Sequence, residues 1–253
     1  MKIRVGLFGF GKTGSLVAQE IIKDDMFELR WVVRKSLANV GHYASHLLGF
    51  QRDEGELFSL MNINIDTFFA LNKVDVIIDF AAVSAVDYYD KAVDEGTRIV
   101  SAVSRYDEEH LQKLYKLGNR TAVLYSPNIT LGINFLIEAS KVLQGIAPNA
   151  DIEIIEEHFR DKKEVSGTAL RIAEDLGLDK QKHVNSIRVG GIVGKHEVVF
   201  GLPYQTIRIT HEAISRSAFG QGALYAAKWL MGKEKGIYSM EEAVSLNFAK
   251  GKK

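Results

Sequence analysis

The chain has 253 residues, 46% of them hydrophobic and 25% charged, with 32 basic and 32 acidic side chains and therefore no formal net charge. That is the composition of a globular protein long enough for one large domain or two modest ones, and the zero balance argues against a sustained nucleic-acid or anionic-membrane surface. Cysteine is absent, which excludes disulfides, thiolate nucleophiles, iron–sulfur clusters and thiolate zinc sites.

The first residues enter a strand pattern directly, without a signal-peptide layout, and no apolar run approaches the ~20 residues that span a bilayer. The expectation is a soluble cytoplasmic protein. Residues 3–8 read as a short apolar strand that runs into the glycine cluster Gly9, Gly11 and Gly14. A helical pattern follows, then a second strand over 28–33 that ends at Arg34-Lys35-Ser36. The stretch 37–64 is mixed and reads as a loop with a helix. Residues 74–80 read as an apolar strand, interrupted by Asp75 and Asp79, of the kind found inside a parallel sheet. A helix over 86–96, a strand over 98–103, a helix over 107–118 and a strand over 121–125 complete a βαβ alternation, which implies a doubly wound sheet.

After Ser126-Pro127-Asn128 the pattern changes. A long helix over 133–143 is followed by strand-like 151–156, a polar loop, a helix over 169–176, and strand-like runs over 185–193, 197–201 and 206–213. These imply an α+β layout with antiparallel strands and a broad open face. Residues 222–230 and 240–246 return to helix. The fold class is therefore α/β: a Rossmann-type nucleotide-binding domain plus an α+β domain with a mostly antiparallel open sheet, the boundary falling near Pro127.

Gly9-Phe10-Gly11-Lys12-Thr13-Gly14 is G-x-G-x-x-G placed between a strand and a helix. In that setting the first glycine permits a tight turn, the second lets a pyrophosphate approach the backbone, and the third allows close packing, while the helix start offers free N–H groups to phosphate. A site selective for NADH carries an acid at the end of the second strand. Arg34, Lys35 and Ser36 stand there instead, either as a cluster for a ribose 2′-phosphate or as a solvated basic turn. The densest polar stretch runs from Glu156 to Ala169. Within it Ser166, Gly167 and Thr168 precede a helix and form a nest for a carboxylate, Arg160 and Lys162 add charge, and His158 or Lys162 is placed to donate a proton. The same stretch also reads as a solvated charged loop with a capped helix. His42 and His46 read as a surface helix face, His110, His183 and His196 as surface positions, and His211 as structural.

Several of these segments, in this order, resemble the dihydrodipicolinate reductase (4-hydroxy-tetrahydrodipicolinate reductase) family over nearly the whole length. They are the glycine turn, residues 75–80, 126–134, 158–169, 188–194 and 209–213, then Arg216-Ser217-Ala218-Phe219, Gly222-Ala223, Trp229-Leu230 and Gly232-Lys233. The resemblance implies NADPH- or NADH-dependent reduction of a cyclic unsaturated dicarboxylate in lysine and diaminopimelate biosynthesis. It implies His158 and Lys162 as the proton-donating pair, and Phe159, Ser166, Gly167 and Thr168 at the substrate. Around the nucleotide it implies Ser101, Ala102 and Val103 near the nicotinamide and Ser126, Pro127, Asn128 and Ile129 beside it. It further implies a nucleotide domain of 1–127 and 217–253, a substrate and tetramerisation domain of 128–216, and a homotetramer. Phe159 replaces the family's second histidine, Val165 stands where proline is expected in a loop one residue shorter, and Ser101-Ala102-Val103-Ser104 replaces a glycine–threonine–threonine–glycine stretch. Two other readings stand beside this one: a paralogous reductase or dehydrogenase of a related imine or amino acid, and a nucleotide sensor without turnover.

Overall fold

In the computed structural model, which describes residues 1–250 and their side chains through 245, the chain divides into two units. The first comprises Met1–Thr130 and Phe219–Ala243, and the second comprises Leu131–Ala218 and the chain from Val244 onward. Residues 251–253, at the end of the expected return to the nucleotide domain, lie outside the described residues.

The first unit is built on seven strands: β1 (Ile3–Phe8), β2 (Phe27–Arg34), β3 (Glu56–Ser59), β4 (Val76–Asp79), β5 (Arg98–Ser101), β6 (Ala122–Tyr125) and, after the chain returns, β11 (Gly236–Tyr238). They lie in the order β11-β6-β5-β4-β1-β2-β3, every neighbouring pair parallel. The helices between them are α1 (Gly14–Lys23), α2 (Ala44–Leu47), α3 (Ile65–Leu71), α4 (Tyr89–Asp94), α5 (Glu108–Leu117) and α8 (Ser217–Leu230). The winding reverses between β1 and β4, and in open α/β sheets the ligand crevice opens at the carboxyl ends of the strands flanking such a reversal. All four residues of β4 are buried, as a central parallel strand requires.

Two features of this unit depart from the sequence reading. The mixed stretch 37–64 holds not only the short α2 but also β3, which joins the sheet edge through Trp31↔Glu56 to Arg34↔Ser59. The helix expected over 86–96 is a 3-10 turn, Val83–Tyr88, that hands over to α4 at Tyr89. The Tyr89 ring sits edge-on to Phe8 at 5.6 Å, and its hydroxyl donates to Asp79, so the handover residue is anchored in the core. Phe8, Trp31, Phe68 and Phe69 extend this aromatic cluster.

The second unit contains α6 (Leu131–Ile146), β7 (Asp151–His158), α7 (Gly167–Asp175), β8 (Val184–Arg188), β9 (Lys195–Leu202) and β10 (Gln205–Glu212), with α9 (Met240–Lys250) shared between the units. The sheet order is β10-β9-β7-β8. The β10–β9 and β9–β7 pairs are antiparallel as expected, whereas β8 runs parallel to β7. A parallel neighbour needs a crossover, and α7 with its flanking loops supplies it. Along β7 the burial alternates, so Ile152, Ile154, Glu156 and His158 share the inner face, and on β9 His196, Val198 and Phe200 do the same. The register pairs Ile152 with Phe200, Ile154 with Val198 and Glu156 with His196. The inner face is thus apolar at one end, where Ile133, Leu136, Ile137, Ala169, Ile172 and Ala173 pack on it. At the other end it is polar.

Candidate active site

In the first unit the glycine turn follows β1. Gly9 has φ +97°, a left-handed conformation that glycine adopts without steric cost. A Cβ on Gly14 would lie 2.2 Å from the Gly9 carbonyl oxygen, so the helix start can close on the turn only without a side chain there. Around Gly11 the opposite holds: no atom lies within 4 Å of where its Cβ would be, so the space at this exposed glycine is open to a ligand. The N–H groups of Gly11, Lys12 and Thr13 have no acceptor among the described residues. Open space, a tight turn and unpaired N–H groups at a helix start fit the pyrophosphate of a nicotinamide dinucleotide.

The other nucleotide residues expected from the sequence sit on the same carboxyl edge of the sheet. Arg34 ends β2 and is half-buried, while Lys35 and Ser36 are exposed; the Ser59 hydroxyl donates to the Lys35 carbonyl at 3.0 Å and shapes that turn. Ser101 ends β5, and Ala102 and Val103 follow it. Ser126 follows β6, its N–H donating to the Ser101 carbonyl at 3.0 Å and its hydroxyl to the Asn128 carbonyl at 2.8 Å. Pro127 is exposed and Ile129 is buried.

One residue of this edge escaped the sequence reading as more than strand. Asp79 is fully buried at the end of β4. Its carboxylate accepts from Tyr89 and, at 2.7 Å, from the Ala81 N–H, and its carbonyl accepts from the Ala102 N–H at 2.9 Å. Asp79 therefore ties the loop after β4 to the loop after β5. Burial pushes its carboxyl up to about 7, against the two hydrogen bonds that lower it. The Tyr106 hydroxyl, 3.0 Å from Ser101 Oγ, continues the polar chain.

In the second unit the polar end of the inner face centres on Glu156, which has no exposed surface. Its carboxylate accepts from Arg188 Nη1 at 2.8 Å and Nη2 at 2.6 Å, from the Ser186 hydroxyl at 2.6 Å, from the Ser166 N–H at 3.1 Å and from His158 Nδ1 at 2.5 Å. Burial works against the charge, but Arg188, Ser186, His158 and the Ser166 N–H outweigh it and hold the carboxyl down at about 2. With Nδ1 of His158 taken by Glu156, the other ring nitrogen faces Gly194. A Cβ on Gly194 would lie 3.1 Å from His158 Nε2, so that glycine keeps the approach to this nitrogen open.

Lys162 is half-buried in the loop after β7, and among the described residues its ammonium has no hydrogen-bond or ion-pair partner. Phe159 is 41% exposed and Val165 44% exposed, so two apolar side chains stand open beside His158 and Ser166. Ser166 turns inward: its hydroxyl lies 2.8 Å from His196 Nε2 and its N–H is held by Glu156. Gly167, the first residue of α7, is exposed, and Thr168 follows it. The structure therefore brings His158, Lys162, Ser166 and the start of α7 to one corner. It is a buried ionic network with an exposed rim and not a fully solvated charged loop.

His196 corrects the sequence reading. Expected at the surface, it is 6% exposed on β9, its ring 5.4 Å from that of His158. Burial above all, then the neighbouring His158 and His211, push its imidazole down to about 3, with Glu156 opposing and Lys162 adding to the effect. It is a neutral ring. The alternation His196-Val198-Phe200 was the available signal. His211 is half-buried on β10 against α6, where a Cβ on Gly132 would lie 2.4 Å from its ring. His42 and His46 are both exposed, His42 in a turn and His46 in α2, where it pairs with Asp53 at 2.9 Å.

Comparison with known proteins fits this division. A family model described as the N-terminus of dihydrodipicolinate reductase matches residues 3–129, and one described as its C-terminus matches residues 129–244. The 4-hydroxy-tetrahydrodipicolinate reductase of Acinetobacter baylyi is 32% identical, over 96% of this chain and 97% of the relative. That of Caldanaerobacter subterraneus is 37% identical over 68% of this chain and 77% of the relative. Among solved structures, a dipicolinate-bound dihydrodipicolinate reductase from Paenisporosarcina sp. TG-14 superposes with a TM-score of 0.79 at 21% identity, covering 96% of this chain and 99% of that one, and so shares its fold. With both family models matching in order, the chain belongs to the dihydrodipicolinate reductase family, pyridine-nucleotide-dependent oxidoreductases.

Proposed function

We propose that this protein reduces 4-hydroxy-tetrahydrodipicolinate, or the dihydrodipicolinate formed from it by loss of water, to tetrahydrodipicolinate. The observation that carries the reading is the corner of the second unit where Glu156 holds His158 by Nδ1 and leaves Nε2 toward Gly194, and where the loop of Lys162 and the start of α7 are tied to the same network. The names of the relatives and the dipicolinate held by the Paenisporosarcina enzyme support the substrate class. In this reading the first unit is the nucleotide domain and the second binds substrate and assembles the tetramer.

Gly9–Gly14, with Ala102, Val103 and Asn128 on the same edge, would hold a nicotinamide dinucleotide, which would supply hydride to the double bond. This chain's residues do the rest. The unpaired N–H groups at Gly11, Lys12 and Thr13 bind the pyrophosphate. Arg34 and Lys35 attract a 2′-phosphate, so NADPH serves at least as well as NADH. Gly167 and Thr168 at the start of α7 grip a substrate carboxylate. His158 at Nε2, or Lys162 at Nζ, delivers the proton that neutralises the carbanion or nitrogen anion left by hydride addition.

Phe159 favours keeping a second substrate in view, since an exposed apolar ring stands where the family has a polar contact: a related cyclic imine carrying fewer polar groups. The test is steady-state turnover of freshly generated dihydrodipicolinate with each cofactor. Wild type is expected to accept both. Replacing Arg34 and Lys35 by alanine is expected to weaken NADPH selectively, and equal losses for the two cofactors would remove those residues from 2′-phosphate recognition.

A further inference from the structure

The Glu156–Arg188 pair lies behind the groups assigned to chemistry. Arg188 is held on three sides. Beyond its two bonds to Glu156, its Nε donates to the Lys162 carbonyl at 3.0 Å and its Nη2 to the Glu164 carbonyl at 2.9 Å. Glu156 in turn holds the His158 ring through Nδ1 and the start of α7 through the Ser166 N–H. One buried ion pair thus touches, directly or through one backbone group, the segments carrying His158, Lys162 and Gly167. Neither member is at the open side of His158: Glu156 is fully buried, and the Arg188 side chain is 20% exposed with its guanidinium turned to Glu156 and to the carbonyls of Lys162, Glu164 and Ile187.

We propose that Glu156 and Arg188 are positioning residues of the reductase site. Glu156 fixes the His158 ring so that Nε2, and not a ring carbon, faces the substrate, and Arg188 fixes the path of the loop that carries Lys162. This rests on the proposed reading for its kinetic consequence, but not for its structural one. A ring turned over about its χ2 bond would put Cε1 in the place of Nε2 and Cδ2 in the place of Nδ1. The carboxylate admits one orientation, because it offers Nδ1 a charge-assisted acceptor that the Gly194 side does not. The arrangement is that of an outer partner orienting a proton-transfer histidine, where loss of the partner falls on turnover and leaves binding largely intact. Ser186, whose hydroxyl completes the shell of Glu156, keeps that carboxylate from turning.

The first measurement needs no substrate. In a 15N-histidine spectrum of the free enzyme, the His158 signal, assigned by its loss in His158→Ala, is expected to show a proton on Nδ1 far downfield in a bond to carboxylate. Glu156→Gln is expected to move that proton upfield or remove it, and an unchanged signal would overturn the proposal whatever the substrate proves to be. The second is a kinetic cycle on dihydrodipicolinate. Glu156→Gln is expected to lower kcat about 10-fold or more, within the span of acid–base groups, with KM for NADPH unchanged. In a His158→Ala background it is expected to cost less than about twofold, because the partner it positions is gone. Equal losses in both backgrounds would assign Glu156 a general structural role instead. If Glu156→Gln does not fold, Arg188→Lys keeps a cation on Glu156 while releasing the Lys162 and Glu164 carbonyls. It is expected to lower kcat in wild type and to add nothing in Lys162→Ala, and a loss of equal size in both would overturn the loop-holding role. Turnover absent from the wild type would fault the reductase reading alone, since the histidine spectrum stands apart from it.

Discussion

At the scale of single residues, charge and burial decide the account. In the proposed reading His158 and Lys162 would face a negative charge that exists only as hydride arrives, so a donor there would stabilise the transition state more than the ground state. His158→Ala and Lys162→Ala are each expected to lower kcat by ~10²-fold or more. Thr168→Val, at a carboxylate present throughout the reaction, is expected to act mainly on KM. Initial-rate kinetics separate the two, and Lys162→Ala with full kcat would overturn the proton assignment.

Two buried carboxyls give stability opposite pH dependences. Asp79, raised to about 7 by burial, binds its proton more tightly in the folded state than in the unfolded chain. Its contribution is complete below the ordinary carboxylate range and is lost as pH rises from about 4 toward 7. Glu156, lowered to about 2, contributes above the ordinary range and loses that contribution as pH falls from about 4 toward 2. Denaturant unfolding from pH 4 to 7 is expected to show a flatter loss in Asp79→Asn than in wild type. Identical slopes would place the titration elsewhere. Neither carboxyl stood out in the sequence. Asp79 ends a strand read as apolar, and Glu156 is one acid among several in a charged stretch; only its phase with Ile152 and Ile154 marks it as inward.

At the scale of elements, the glycine turn separates binding from folding. Gly11 is surrounded by open space, so Gly11→Ala is expected to leave stability within ~0.5 kcal/mol of wild type. It should nonetheless weaken nucleotide binding at least about 10-fold, or ~1.4 kcal/mol, because the methyl group meets the pyrophosphate. Gly14→Val meets the Gly9 carbonyl and is expected to lower the melting temperature as well. Calorimetry and isothermal titration on the two variants check this, and unchanged affinity in both would remove the nucleotide from this turn. The turn was legible because strand, glycines and helix are contiguous. β3, α3 and β11 were not, because each has seven residues or fewer and is fixed by neighbours far along the chain. The parallel β8 was hidden for the same reason: strand direction depends on the α7 crossover, which local alternation does not encode.

At the scale of the whole molecule, the sequence made the two kinds of sheet legible through a change of pattern near Pro127, and the chain divides at Thr130/Leu131. The site corner was less legible, since the Glu156–His196, Glu156–Ser186 and His158–Arg188 pairings follow from strand register rather than spacing. β10 ends the four-stranded sheet with most of its residues exposed, Ile207 among them, a face suited to another copy. On the family resemblance alone, light scattering is expected to report four subunits, and a particle of about one subunit's mass, 28.2 kDa, would discard the tetramer.

The most direct test of the reductase account is turnover of freshly generated dihydrodipicolinate by wild type and Phe159→His, with NADPH binding measured on the same samples. The account predicts that wild type consumes NADPH with this substrate and that Phe159→His, which restores a polar contact beside His158, turns over at a comparable or higher rate. Wild type that binds NADPH normally but leaves dihydrodipicolinate untouched would contradict it, and would point to the related cyclic imine as the ligand of this pocket.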